Sequence, residues 1–256
     1  IAPMNLSQSQ SLAWAMPLDG EALQAEVDQW FQQFSDSDRL ASLLELYYGF
    51  FEAFDYVDIQ TYIRRIDDRF PQYQEYFKSA AEKYNVPYLV LAAQGYQESH
   101  WNPRAVSPTG VRGIMMLTNL TAKDLGVEDR TVPEQSINGG AKYLRELSEK
   151  FSEKLDEKDR LWFTLAAYNV GFGHVQDARI ITKRRGGNPD RWVDVKQSLP
   201  LLRNKRWYKK TRFGYARGNE PVKYVENIRS YYDILHWHLA KENRQDRKVA
   251  FVSPAL

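Results

Sequence analysis

The sequence contains no cysteine, which removes disulfides, thiolate metal sites and a cysteine nucleophile from consideration. It leaves the compartment open, since exported bacterial proteins can also lack cysteine. Net charge is nearly absent too: 35 Lys and Arg against 33 Asp and Glu give +2, so nothing demands a polyanionic partner. No apolar run approaches the ~20 residues that span a bilayer. The opening IAPMNLSQSQ has no basic n-region, no continuous apolar stretch and no methionine at position 1. It does not read as a signal peptide; the expectation is a processed or excised piece, with any export signal or lipid anchor upstream. P-loop, GxGxxG and GxSxG elements are also missing, and with them the chemistries they mark. His236 and His238 lie two apart on an expected helix, so they do not share a face and make a poor metal pair. Neither a metal nor a cofactor is expected.

What the chain has in abundance is aromatic surface and helical periodicity. Aromatics make up 14%, with 7 Trp and 16 Tyr, side chains that bury a face while keeping a polar handle. Carbohydrate sites use that combination, and helical cores use it more often. Leu23, Val27, Trp30, Phe31 and Phe34 repeat at helical spacing behind Asp19, a candidate N-cap. A second helix is expected from Ser37 to Gly49 and a third over Val57 to Ile66. A fourth carries Tyr73, Phe77 and Ala80 and breaks at Asn85. Pro87 is placed at the first position of an apolar helix over Tyr88 to Ser99. His100 to Gly113 is turn-rich. Helices then resume near Thr118–Leu125, Ser136–Phe151, Asp159–Asn169, Phe172–Lys183, Trp192–Ser198 and Pro221–Ala240, with Gly171 as a C-cap. Only Leu12 to Met16 reads like a strand. The fold class expected is all-α, a catalytic-sized helical domain behind a small preamble.

Glu98 is the first charge after Pro87, at the end of the run YLVLAAQGYQE. A carboxylate there meets the negative pole of its helix and unpaired carbonyls. Apolar neighbours such as Leu91 and Trp101 would also disfavour ionisation. A glutamate kept protonated near neutral pH is what general-acid attack on a glycosidic oxygen requires.

Three further runs give that position a context: GYQESHWNPRAVSPTGVRGIMML from Gly95, LAAYNVGFG from Leu165, and EPVKYVENI from Glu220. Together they resemble the lytic transglycosylases of the goose-type lysozyme-like fold, the family of the soluble lytic transglycosylase. Its motifs are a Glu-Ser pair with an Asn-Pro loop, a Gly-Leu-Met-Gln turn, an Ala-Tyr-Asn-x-Gly helix end and a late Tyr-Val. A membrane-bound branch of that family shares the loop SPTGVRG followed by methionines. The resemblance covers roughly residues 72–239. It implies that Glu98 is the catalytic acid and base, that Ser107 lies near the reacting sugar, and that Tyr168 hydrogen-bonds and orients Glu98 with Asn169 beside it. Tyr224 would stand near the groove. One departure matters: Met116, after Met115, occupies the place of the usual glutamine, so a softer apolar wall replaces an amide.

The resemblance also implies a substrate, peptidoglycan glycan strands, and a reaction that yields 1,6-anhydromuramic ends. Hydrolytic glycosidases generally use two carboxylates. No second one falls within these motifs, and Asp124, Glu128 and Asp129 read as solvent-facing. A lone glutamate suffices if the substrate supplies its own nucleophile. The rivals are a true goose-type lysozyme, which would hydrolyse the same bond, and a non-catalytic glycan-binding module, which would be expected to lack Glu98. Residues 1–68 read as the closing remnant of a periplasmic solute-binding-like regulatory domain plus a linker helix, 69–240 as the catalytic domain, and 241–256 as a loose tail. Partners implied are the glycan strands and the upstream regulatory domain. Membrane association would come only through an anchor outside the chain, in the periplasm at the inner face of a Gram-negative outer membrane.

Two basic tracts stand apart. Arg203, Lys205, Arg206, Lys209, Lys210, Arg212 and Arg217 interleave with Trp207, Tyr208, Phe213 and Tyr215; Arg179, Lys183, Arg184, Arg185 and Arg191 form another cluster. Such segments can bind single-stranded nucleic acid, but the balanced whole argues against it and no nucleic-acid partner is expected.

Overall fold

The structure, a computed structural model, describes residues 17, 20–35 and 56–250. The expected strand at Leu12–Met16, the cap at Asp19 and the helix from Ser37 lie outside the described residues. Two compact units are present, 1–46 and 47–256. In the first, α1 (Glu21–Ser35) is amphipathic but has no buried residue, and Leu23 and Trp30 are both 55% exposed.

The second unit is helical, and among the described residues its extended pairing is limited to isolated bridges in one loop. Its helices are α2 (Tyr56–Asp68), α3 (Gln74–Tyr84), α4 (Tyr88–Ser99), α5 (Asn119–Leu125), α6 (Pro133–Glu149), α7 (Glu157–Val170), α8 (Phe172–Arg184), α9 (Trp192–Val195), α10 (Lys205–Tyr208) and α11 (Asn219–Ala250). Stops and starts follow residue chemistry. Asn85 ends α3 in the left-handed region at φ +50°, a conformation asparagine tolerates better than most side chains. Thr118 and Asp156 cap α5 and α7 by accepting backbone N–H bonds from Thr121 and from Lys158 and Asp159, satisfying donors that a helix start leaves unpaired.

α4 is the central element, buried from Val90 to Tyr96 and packed against α3 and α11. Its mean side chain is small (Ala92, Ala93 and Gly95 are all wrapped), so neighbouring helices approach closely. Much of the aromatic excess is core. Tyr62 of α2 is fully buried, donates to the Tyr231 carbonyl of α11 at 2.9 Å, and meets the rings of Tyr96, Trp101 and Tyr231. α2 is therefore packed into the second unit, whereas the reading from sequence placed residues up to 68 with the preamble. Its pattern, YVDIQTYIRRI, is too short and too charged to reveal which partner buries Tyr62 and Ile66.

Two other expectations shift. Pro87 is the N-cap of α4 rather than its first turn, with φ −63° and ψ 118°. α11 does not stop at Ala240 but continues to Ala250. Apolar periodicity fades in KENRQDRKVA, yet these are good helix formers without Gly or Pro, so propensity carries the helix on.

Candidate active site

The end of α4 is built to hold Glu98 and then leave abruptly. His100 and Trp101 both take left-handed backbone, φ +54° and +55°, a conformation that costs energy for a bulky side chain. The reversal is held from three sides. Trp101 is fully buried and its Nε1 donates back to the Ala92 carbonyl at 2.8 Å. Ser99 Oγ donates to the Ile114 carbonyl at 2.9 Å, joining the helix end to the loop after it. Arg69 reaches the His100 carbonyl at 3.2 Å. His100 itself is exposed, and its ring lies tilted at 52° against that of Tyr96, with centroids 4.9 Å apart.

Glu98 keeps part of its surface open, while the packing around its carboxyl strips enough water to push its pKa up to about 7. Desolvation is the dominant cause; the opposing influence is a hydrogen bond from Tyr224, which favours the carboxylate. Tyr224 Oη, on the first turns of α11, donates to Glu98 Oε1 at 2.5 Å. That phenol in turn accepts a bond at 3.1 Å from Nε2 of Gln94, one turn before Glu98 on α4. Burial and the Glu98 charge hold both Tyr224 and Tyr168 well above the usual tyrosine range, so neither ionises at neutral pH.

Tyr168 is near Glu98 but directs its proton elsewhere. Its hydroxyl, at the end of α7, donates to the Met115 carbonyl at 2.9 Å. The hydroxyl hydrogen-bonded to Glu98 is thus that of Tyr224, where the family resemblance assigned the role to Tyr168. Met115 is fully buried and its N–H bonds Ser136 Oγ at 3.2 Å. Two helix glycines make its seat: a Cβ at Gly95 would lie 3.3 Å from the Met115 sulfur, and one at Gly140 only 2.7 Å from its Cγ. Met116 follows with φ +47° and is partly exposed. Met115 thus wedges α4 against α6 and presents its carbonyl to Tyr168.

Ser107 lies in the loop 105–117, with its hydroxyl taken up locally: it pairs with Thr109 Oγ1 at 2.9 Å and accepts the N–H groups of Thr109 and Val111 at 3.2 Å each. It shapes the loop tip in the structure and is not joined to Glu98. Asn169 is exposed at the end of α7. Of the residues marked by the sequence, Glu98, Tyr224, Tyr168 and Met115 are brought together; Ser107 and Asn169 stand further out. Gln94 was missed, hidden as one polar letter inside an apolar run; its i, i+4 relation to Glu98 was the available signal.

Asp124, Glu128 and Glu220 are exposed, and among the described residues no second carboxylate contributes to the Glu98 ionisation. His238 bonds Asp67 at 2.8 Å, away from His236, whose ring stacks on Tyr232. The first basic tract is a built loop, since the fully buried Asp177 carboxylate accepts the N–H groups of Arg212 (3.1 Å) and Phe213 (2.8 Å). A surface cleft of about 480 Å³ lined by Asn85, Pro87, Arg145 and Arg160 sits at the other end of α4 and does not include Glu98.

Residues 75–190 match the Transglycosylase SLT domain. The chain is 50% identical over 248 residues to membrane-bound lytic murein transglycosylase F of Hahella chejuensis, covering 96% of this chain and 48% of that protein. It is 50% identical over 233 residues to the protein of the same name from Idiomarina loihiensis, covering 91% of this chain and 51% of the relative. The chain thus spans about half the length of the curated relatives it matches. In structure it resembles the lytic transglycosylase Slt of Pseudomonas aeruginosa, with a TM-score of 0.50 at 22% identity over 86% of this chain and 34% of that one, a likeness of fold. Residues 75–190, which enclose Glu98, Met115 and Tyr168, thus belong to the Transglycosylase SLT domain family, and half of the aligned positions are shared with the two named relatives.

Proposed function

We propose that this chain cleaves the β-1,4 bond between N-acetylmuramic acid and N-acetylglucosamine in peptidoglycan and leaves a 1,6-anhydromuramic end. One observation carries the reading: a single carboxyl, Glu98, poised near pH 7 by burial and tied to a phenol, with no second carboxylate beside it. In the first step protonated Glu98 gives its proton to the glycosidic oxygen, the C1–O bond breaks, and the 2-acetamido oxygen of the muramic residue stabilises the cation at C1. In the second, Glu98, now a carboxylate, takes the proton of the C6 hydroxyl as that oxygen bonds to C1. The proton count closes on Glu98 itself, and no water enters.

Ring closure wins over hydrolysis because the C6 hydroxyl is tethered. Well-aligned intramolecular nucleophiles reach effective molarities of ~10⁵ M or more, against ~55 M for water. Tyr224 keeps the carboxylate oriented between steps, and the buried Met115 and the partly exposed Met116 give an apolar wall in place of an amide. The mature protein would work in the periplasm, attached to the envelope by a segment beyond this chain, with its upstream domain in a regulatory part.

The test is digestion of sacculi followed by borohydride reduction and mass analysis. Anhydro ends resist reduction and are lighter by one water than hydrolytic ends. Predominantly anhydro ends support the proposal; predominantly reducible ends would make the chain a lysozyme and require a water-activating carboxylate.

A further inference from the structure

Gln94 is fully buried between Ala93 and Gly95 in the tightest part of α4. Leucine or methionine would fill such a position without leaving polar atoms to satisfy. Gln94 instead satisfies only half its amide: Nε2 donates to Tyr224 Oη at 3.1 Å, while Oε1 is buried with no hydrogen-bond partner. An unmet buried acceptor is destabilising, so the amide is an expensive choice that packing alone does not explain.

Its geometry suggests a reason. A phenol has one proton to donate and lone pairs to accept with. Tyr224 Oη stands between two groups on one face of α4, Gln94 and, one turn on, Glu98. With an N–H of Gln94 occupying the oxygen, the phenol proton has a single favourable acceptor, the Glu98 carboxyl. Were the amide turned over, Oε1 would compete with Glu98 for that proton. We infer that Gln94 is a positioning residue: by donating to Tyr224 it commits the phenol proton to Glu98 and so supports the carboxylate form that must act as base in the second step. The inference rests on the proposed role of Glu98 as acid and then base.

The groups that face Glu98 are few. Tyr224 comes from α11 and Tyr168 from α7, both neutral at ordinary pH, and the Tyr168 hydroxyl is turned to the Met115 carbonyl of the loop. No ammonium or guanidinium contributes to its ionisation among the described residues, so the state of the Tyr224 proton is the main variable there. Polarisation along the Gln94–Tyr224–Glu98 chain makes the phenol a better donor.

The experiment compares wild type, Gln94→Met, Tyr224→Phe and the double variant. In each, the Glu98 carboxyl is titrated by infrared difference spectroscopy in substrate-free protein, and kcat and KM are measured against pH on sacculi. Gln94→Met is expected to lower kcat by about three- to ten-fold, the weight of one neutral hydrogen bond, with KM unchanged. The Glu98 midpoint and the alkaline limb of kcat should both move to higher pH. In the Tyr224→Phe background the same change should move neither further, because Gln94 acts only through that hydroxyl. The thermal midpoint of Gln94→Met should equal or exceed wild type, since an unmet acceptor is removed. An unmoved Glu98 midpoint in a folded Gln94→Met protein overturns the inference, as does an equal shift in both backgrounds. If Gln94→Met does not fold, Gln94→Leu takes its place under the same criteria. Activity that survives Glu98→Gln would instead sink the proposed function, and the infrared titration would still decide the role of Gln94.

Discussion

Tyr168, partly buried, and Tyr224, buried, are the same residue type in the same neighbourhood, both with ionisation pushed up by loss of water around the hydroxyl and by the Glu98 charge. They differ in where one proton goes. Tyr224, on the α11 side, donates to Glu98 and is itself held by Gln94. Tyr168, on the α7 side, donates to the Met115 carbonyl and so holds the loop that begins where α4 ends. One side of the site tunes the reacting carboxyl; the other fixes the wall beside it. The lesson is that proximity to a catalytic group does not assign a role, whereas the acceptor of a single hydroxyl proton does.

The largest effect expected bears on neither phenol but on the group they share. Glu98→Gln should fold and lose sacculus cleavage by ~10⁴-fold, the upper end for removing a general acid or base, because one residue serves both steps. Retention of a tenth of wild-type rate would end the account. Next comes Tyr224→Phe. A hydrogen bond to a charged group contributes about 1.5–3 kcal/mol, so kcat should fall roughly ten- to a hundred-fold. That bond lowers the Glu98 pKa, so its loss raises it, and the alkaline limb of the rate profile should move upward from about 7. A limb that stays put would mean that the phenol acts sterically.

The same carboxyl gives a stability test with a definite sign. Its pKa is raised on folding from 4.5 to about 7, so the folded state holds the proton more tightly. The associated stability is fully present below pH 4.5 and is lost as pH rises through 7. Glu98→Gln removes that dependence and should be more stable than wild type at pH 8 by about 1–2 kcal/mol, discounted for the partial exposure of the side chain, with the gap closing toward pH 4. Denaturant midpoints at the two pH values measure it; a gap independent of pH would contradict the burial argument. Smallest is Tyr168→Phe. It leaves the Met115 carbonyl short of a partner, so kcat should drop by a few-fold, with the alkaline limb unmoved. A limb shift matching that of Tyr224→Phe would erase the contrast between the two sides.

How much of this could be read from the sequence depended on the range of the interaction. Helices with apolar periodicity and a sharp stop, such as the stretch from Tyr73 to the left-handed Asn85, were legible because capping and amphipathicity are local. Glu98 stood out because it ends an uncharged run. The packing of α2 against Tyr231, 169 residues away, was not, since no local pattern encodes so distant a partner. The role of Tyr168 read from family resemblance differs from its contact here for the same reason: its hydroxyl reaches Met115, 53 positions earlier. The glycines that seat Met115 are unremarkable as letters, and only the closeness of α4 to α6 gives Gly95 and Gly140 their meaning. The stop placed at Ala240 came from fading apolar periodicity, and helix propensity overrode it.

The account stands on Glu98 being half-protonated at the pH where the chain works, and that can be observed without substrate. Infrared difference spectra between wild type and Glu98→Gln, recorded across pH 3–10, isolate the carboxyl stretch of that one residue. The account predicts a single titration with its midpoint about 7. A midpoint near 4.5, the ordinary value for glutamate, would contradict it: the side chain would then be ionised at neutral pH and could not serve as the acid that opens the reaction.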